Sequence, residues 1–343
     1  YTAILGYPLE DVGRQAALSE ELGFDGVGVG EAAHDPFLPL ALVAEHTSTI
    51  KLGTTVAIAF PRSPMVVAAT SWDLQAFSRG RFELGLGTQV KGHNERRFST
   101  PWGPPIPRLR EYVQSLRAIW DCFQNGTKLD YRGEHYTFTL MTPNFNPGPI
   151  EHPTIPVLGA AVTPGMARLT GEVMDGMLLH PLCSPRYLKE VLVPAVQEGA
   201  KKAGRSLDGF EIVGGSFLVT GRTDADLERS RERVRRQLAF YASTRTYKVV
   251  MDAHGWGATT ERLHELSLKG QTGGGEGMWR EMAALFDDEM LEQFAVVATY
   301  DDLADRIKER YGDTLTRMAL TIPVRDDESQ DAVREIVRRL QSE

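Results

Sequence analysis

The sequence predicts a single (β/α)8 barrel domain, a TIM barrel with insertions, spanning residues 1–343. Eight apolar, β-branched runs alternate along the chain with amphipathic stretches of helical length, as a parallel barrel requires. Residues 51–89 (KLGTTVAIAFPRSPMVVAATSWDLQAFSRGRFELGLGTQ) read as strand, helix and strand in one unbroken pass. Only two long interruptions, 125–154 and 242–295, break the rhythm.

The elements follow in order. TAILG opens the first strand, and a helix over 8–22 closes at Gly23. DGVGVG is the second strand, followed by a helix from Pro36 to about Ser48. KLGTTVAIAF is apolar on both faces, as buried parallel strands are. Pro61 and Pro64 punctuate the next turn, and Val67, Thr70, Leu74 and Phe77 form a stripe at helical spacing. Gly80 ends that helix as a left-handed cap before RFELGLG. A helix over 104–124 places Leu109, Val113, Leu116, Ile119 and Trp120 on one face. TIPVLGAA, a helix over 163–172, DGMLLH and a helix over 184–203 continue the alternation. FEIVGGSFLVTG is read as one strand, followed by a charged helix over 223–240, and LTRMALTIPV is the last strand. Within the interruptions, YRGEHYTF suggests a hairpin. The glycine-rich KGQTGGGEG at 269–277 suggests that 242–277 is a mobile cover over the barrel mouth, with a surface excursion or subunit contact as an equal alternative.

Composition narrows the function. A chain with 42% hydrophobic residues can bury a large core, and no apolar run approaches the roughly 20 residues of a membrane span. No signal-peptide pattern opens the chain, and Cys122 and Cys183 have neither metal-site nor disulfide-framework spacing, which fits a reducing cytoplasm. The net charge of −8 argues against a nucleic-acid partner, though not against an anionic ligand. No histidine cluster has ligand spacing, so no metal is expected. GxGxxG and Walker motifs are absent, which removes Rossmann and P-loop readings.

Chemistry in a βα barrel lies beyond the carboxyl ends of the strands. At 160–169, AAVTPGMARL offers Thr163 as an N-cap and Pro164 at the first helical position. Gly165 and Met166 then bring free backbone N–H groups, a start able to bind phosphate. On its own this is equally an ordinary capped helix, and it follows the fifth strand rather than the last two. Gly87-Thr88-Gln89 ends the fourth strand, where a ligand could approach the backbone.

LGTTVAIAFPRSP, SRGRFELGLGTQ, HNERRF and VLGAAVTPGMARLTGEVMDGMLL together resemble the luciferase-like monooxygenase family, and most of all its branch that uses the deazaflavin coenzyme F420. The resemblance covers most of the chain. It implies a bacterial luciferase-like barrel, a homodimer, and hydride transfer between F420 and a small organic substrate, an alcohol, carbonyl or activated alkene. At matching positions it implies cofactor contacts from Thr88, Gln89 and Asn94. It implies a cofactor phosphate held at Ala160, Ala161, Thr163, Gly165 and Met166, and a non-proline cis peptide at Thr55–Val56 behind the ring. Relatives commonly end the second strand with an acidic residue followed by histidine; here Glu31-Ala32-Ala33-His34-Asp35 displaces the histidine by two positions. His34 is therefore the acid/base candidate, with Asp35 as the carboxylate to orient it, against a plain helix-cap role. His93 and His180 are the next candidates, and His135, His152, His254 and His264 read as solvated. Trp102 and His180 are expected to meet substrate in a largely apolar pocket with Phe37, Phe60, Cys183 and Trp256. The alternative within the family is a monooxygenase using reduced flavin mononucleotide (FMN) and oxygen. A Schiff-base lyase lacks a convincing lysine at a strand end, and a non-catalytic flavin-binding barrel would bind cofactor without turnover.

Overall fold

The computed structural model describes residues 1–4, 6–270 and 275–342. The chain forms two compact units: Tyr1–Ala161 with Gly165–Leu178 and Val196–Glu211, and Val162–Pro164 with Leu179–Ala195 and Ile212–Glu343.

The first unit holds strands β1 (Thr2–Ala3), β2 (Gly26–Val29), β3 (Lys51–Thr54), β4 (Ala57–Ile58) and β5 (Phe82–Gly87). It continues with β6 (Tyr131–Arg132), β7 (Thr137–Phe138), β8 (Val157–Ala161) and β9 (Gly176–Leu179). The main sheet runs β1-β2-β3-β5-β8-β9, with β4 beside β5. Every ladder from β1 to β8 in it is parallel, with Gly26 opposite Lys51, Leu52 opposite Phe82 and Leu84 opposite Val157. The predicted third strand is two, β3 and β4, with the cis Thr55–Val56 peptide between them. The Thr54 hydroxyl bridges that break, donating to Gly85 O at 2.6 Å and accepting from Gly85 N at 2.9 Å.

Helices cover this sheet as the apolar spacing predicts. Leu109, Val113, Leu116, Ile119 and Trp120 of the Pro105–Asn125 helix are buried, and Trp120 Nε1 donates to Ala68 O at 3.1 Å. In the Pro64–Phe77 helix Val67 and Leu74 are buried, but Phe77 is 57% exposed and leaves the expected stripe. Gly80 adopts the left-handed φ of 86° that ends this helix. The neighbouring Arg81 then satisfies carbonyls that the Phe37–His46 helix leaves free at its end. Its guanidinium donates to Ala44 O, Thr47 O, Ile50 O and the Thr47 hydroxyl at 2.7–3.0 Å. YRGEHYTF forms the antiparallel β6–β7 hairpin.

The second unit pairs β10 (Glu211–Gly214) with β13 (Arg317–Met318), and β11 (Phe217–Gly221) with β12 (Ala295–Thr299), all parallel. FEIVGGSFLVTG is thus two strands rather than one. They part at Gly215, where an added Cβ would lie 2.4 Å from Ala319 O, and at Ser216, whose hydroxyl donates to Phe294 O at 2.7 Å. The partner strand β12 begins at the edge of the segment read as an insertion. Most of 242–295 is helical: Lys248–Asp252, Gly257–Gly270, Glu276–Ala284 and Asp288–Phe294. Val250, Met251, Leu263, Leu266, Met282 and Phe286 are buried there, and the segment packs on the Asp224–Ala242 helix. Residues 271–274, which include Gly273 and Gly274 of the glycine run on which the cover reading rests, lie outside the described residues.

Candidate functional site

Three strand ends of the first unit meet in a shelf of small side chains. A Cβ added to Gly87, the last residue of β5, would lie 2.6 Å from Val56 Cγ2 and 3.8 Å from Ala160 Cβ. Thr55 is exposed, and Val56, Thr88 and Ala160 are half-buried, so the shelf is accessible. Gly28 is needed beneath it, since a Cβ there would sit 2.6 Å from the Thr55 side chain. Beyond the shelf Gln89 takes a left-handed φ of 56° and its side-chain oxygen accepts from Val90 N at 2.9 Å. Asn94 lies under this turn rather than on it. It is fully buried, and its Nδ2 donates to Thr88 O at 2.9 Å and Val90 O at 3.2 Å, while Oδ1 has no partner among the described residues. Asn94 therefore shapes the Thr88–Gln89 turn.

The Pro164–Val173 helix starts directly after β8, as the cap residues predict. At Gly165 a Cβ would lie 2.9 Å from Ile106 Cδ1, so the helix start is approached closely by the Pro105–Asn125 helix. Ala161 is buried, whereas Thr163 and Met166 are half-buried.

His34 is exposed in the loop after β2 and stacks on Tyr7, in the loop after β1, with ring centroids 3.6 Å apart and planes at 25°. Asp35 does not orient it. Asp35 Oδ1 accepts from Phe37 N at 2.8 Å and Leu38 N at 3.2 Å, which caps the next helix, and Oδ2 binds Arg62 at 2.9 Å. The cap role considered for His34 thus belongs to its neighbour. Arg62 also donates to Glu31 Oε2 at 2.7 Å and to Ile58 O at 3.0 Å, while Ile58 N donates to the same Glu31 oxygen at 2.7 Å. The Glu31 side chain is only 4% exposed. A nearly buried carboxylate and one guanidinium therefore fix the loop that carries His34. Arg97 adds a hydrogen bond to Ala32 O from the far side.

Trp102 sits edge-on to Phe60, centroids 6.3 Å apart, in a loop gripped by Arg108. Arg108 donates to Pro101 O at 2.9 Å and to the Tyr136 hydroxyl at 3.1 Å, and lies 4.4 Å from the centroid of Phe60. One turn later Glu111 accepts from the backbone N–H of Glu134, His135 and Tyr136 at 2.7–3.2 Å. Burial pushes its carboxyl upward, but these three donors outweigh that and hold it below its ordinary value. Glu111, Glu134 and His135 bring ligand atoms within 4.8 Å of one another, yet Glu111 is already committed to the hairpin. Phe37 and Phe60 are buried core residues rather than pocket walls.

In the second unit His180 follows β9 and is half-buried. Its Nδ1 accepts from Leu182 N at 3.0 Å, which leaves the proton of the neutral ring on Nε2. Burial pushes its pKa down to about 4. Its ring lies 4.5 Å from those of Tyr241 and Tyr247. His254, expected to be solvated, shares a 2.7 Å hydrogen bond with the buried Ser184 hydroxyl and stacks on Trp256 at 4.8 Å. His264 is likewise half-buried and bonded to Ser243 O at 3.0 Å. Cys183 is buried, and its thiol is pushed up to about 12 by desolvation.

The profile of the luciferase-like monooxygenase family matches residues 3–317. The chain belongs to this family. A Mycobacterium tuberculosis protein of unassigned function is 46% identical over 318 residues, 93% of this chain and 91% of that protein. The 5,10-methylenetetrahydromethanopterin reductase of Archaeoglobus fulgidus is 28% identical over 320 residues, covering 91% of this chain and 90% of the reductase. The solved coenzyme F420-dependent tetrahydromethanopterin reductase from Methanopyrus kandleri superposes with a TM-score of 0.78 at 22% identity, covering 99% of this chain and 97% of its own. The fold is therefore the luciferase-like (β/α)8 barrel, and such relatives are oxidoreductases or monooxygenases acting on small molecules. Among the described residues no helix is long and apolar enough to cross a membrane.

The luciferase-like motifs pointed to the shelf and the helix start. They did not reveal Tyr7, Arg62, Arg108 or the tyrosines around His180. Gly6-Tyr7-Pro8 directly after the first strand was a usable signal for Tyr7, because a loop at a strand's carboxyl end faces the mouth. Tyr241 and Tyr247 lie far from His180 in sequence, and nothing local announces their meeting.

Proposed function

We propose that this protein is a coenzyme F420-dependent oxidoreductase that reduces a carbonyl or activated alkene, or oxidises the corresponding alcohol. The observation that carries the reading is the shelf of Val56, Gly87 and Ala160, with exposed Thr55 beside it and the His34–Tyr7 stack in the neighbouring strand-end loops of the same unit. A planar ring system needs a flat, sterically open floor, and side chains this small provide one. Thr55, Val56, Thr88 and Gln89 would hold the ring and its attached chain, with Asn94 shaping the turn below. Ala160, Ala161, Thr163, Gly165 and Met166 would hold the phosphate through main-chain N–H groups and the positive end of the helix. When bound, the deazaflavin supplies or accepts a hydride at carbon.

The chain's own part is alignment and one proton. In the reducing direction, the carbonyl carbon gains a hydride while its oxygen takes a proton from His34 Nδ1 or Nε2; the reverse regenerates the imidazolium. Exposure leaves that proton free to exchange with water between turnovers. Stacking on Tyr7 restricts the ring to one plane, so that little ordering remains to be done in the transition state. The runner-up, an FMN monooxygenase, shares the fold. Titrating the purified protein with F420 and with FMN separates the two: F420 fluorescence should change on binding, and tighter binding of FMN would reject the proposal.

A further inference from the structure

Four rings of the second unit, His180, Phe217, Tyr241 and Tyr247, gather from four different segments. His180 follows β9, Phe217 opens β11, Tyr241 lies near the end of the Asp224–Ala242 helix, and Tyr247 closes the Arg245–Tyr247 turn. Centroid separations are 4.5 Å for His180 to each tyrosine, 6.0 Å for Phe217 to Tyr241 and 6.2 Å between the tyrosines. These distances are those of interacting rings. Their burial differs from that of core rings, for Tyr187 and Phe294 are 0–1% exposed while all four members of the cluster stay half-buried. Each therefore keeps surface for a ligand.

We propose that this cluster is a binding site for an uncharged, ring-bearing carbonyl or hydroxyl compound. The inference goes beyond the hydride-transfer reading and stands on the second unit alone, naming the class of ligand this cluster takes. The lining is two phenols, a phenyl ring and an imidazole. His180 Nδ1 is occupied by Leu182 N–H, so the ring presents Nε2–H as a fixed donor. A carbonyl or hydroxyl oxygen answers that donor, and a ring answers the aromatic walls. A carboxylate would meet no cationic side chain among these four. An ammonium would find ring faces to attract it but no carboxylate among these four, and it would be repelled by the Nε2–H donor that a carbonyl oxygen answers. Burial keeps His180 neutral through the physiological range, which removes any charge of its own from the choice.

The test uses the full-length protein and four probes sharing a phenyl ring: acetophenone, ethylbenzene, benzoate and benzylammonium. Affinities come from equilibrium dialysis, and histidine ring-labelled NMR follows the His180 signal, assigned from its absence in His180→Phe. Acetophenone should bind best and shift that signal. His180→Phe should weaken acetophenone about fivefold, the worth of one neutral hydrogen bond, and leave ethylbenzene unchanged; His180→Gln, which keeps an N–H donor, should recover part of the loss. Benzoate or benzylammonium binding as tightly as acetophenone, or no shift at His180, would overturn the inference. F420 binding is measured on the same samples. If F420 fails to bind while the probe order holds, the cofactor reading falls and the ligand class stands. The opposite result removes this inference alone.

Discussion

Replacing Arg62 with methionine removes the cation that holds the His34 loop while keeping much of the side chain's apolar bulk. Two ion pairs are lost and they are not equal. Asp35 is 38% exposed, so its pair with Arg62 contributes about 0–1 kcal/mol. Glu31 is 4% exposed and would keep only Ile58 N–H as a donor, leaving a carboxylate buried without a counter-charge. Breaking one side of such a pair costs about 3–5 kcal/mol, so the buried partner decides the total. Urea unfolding at neutral pH should show a loss of that size for Arg62→Met. The double variant Arg62→Met with Glu31→Gln should recover a large part of it, because a neutral amide no longer needs the cation. A single-variant loss below about 1 kcal/mol, or strict additivity in the double variant, would refute the claim that a buried charge pair anchors this loop.

His34→Ala should lower turnover by ~10²–10⁴, the span for a general acid or base, with F420 affinity nearly intact; full activity would move the search to His93 and His180. Gly165→Leu drives a side chain at Ile106 and over the helix start, so F420 should bind at least fivefold more weakly, about 1 kcal/mol, and unchanged affinity in a folded variant would remove the phosphate seat. Burial raises the Glu20 carboxyl, but the N–H groups of Ser48, Thr49 and Ile50 and the Thr49 hydroxyl outweigh it and lower the pKa to about 2 from 4.5. A depressed carboxylate stabilises above its unfolded pKa and loses that contribution as pH falls through the folded one. Glu20→Gln should therefore be less stable than the parent at pH 7, with the gap closing between pH 4.5 and 2 in acid unfolding; a gap independent of pH would contradict it.

The barrel rhythm was legible because buried parallel strands must be apolar on both faces, and KLGTTVAIAF and RFELGLG leave little else to be. Helix ends were legible where backbone conformation is forced, as at Gly80. The division of FEIVGGSFLVTG was not, because it depends on Ala319 and Phe294, about 80–100 residues away, closing on Gly215 and Ser216. The helices of 242–295 were hidden for a related reason: Gly255, Gly257 and Gly270 punctuate them so often that no long apolar stripe forms. Residues of the candidate site split the same way. Gly87, Thr88 and Gly165 act through the backbone and announce themselves by residue type. Tyr7, Arg62 and Tyr241 act through partners that only the fold supplies.

Arg108 and Glu111 are one turn apart on the same helix, yet one holds the Trp102 loop and the other the tip of the β6–β7 hairpin, while Tyr136 links the two through its hydroxyl. The helix thus grips two surface segments from positions one turn apart. Losing the Tyr136 hydroxyl would take a partner from the guanidinium that holds Pro101 O, so the ribbon and the Trp102 loop depend on one side chain.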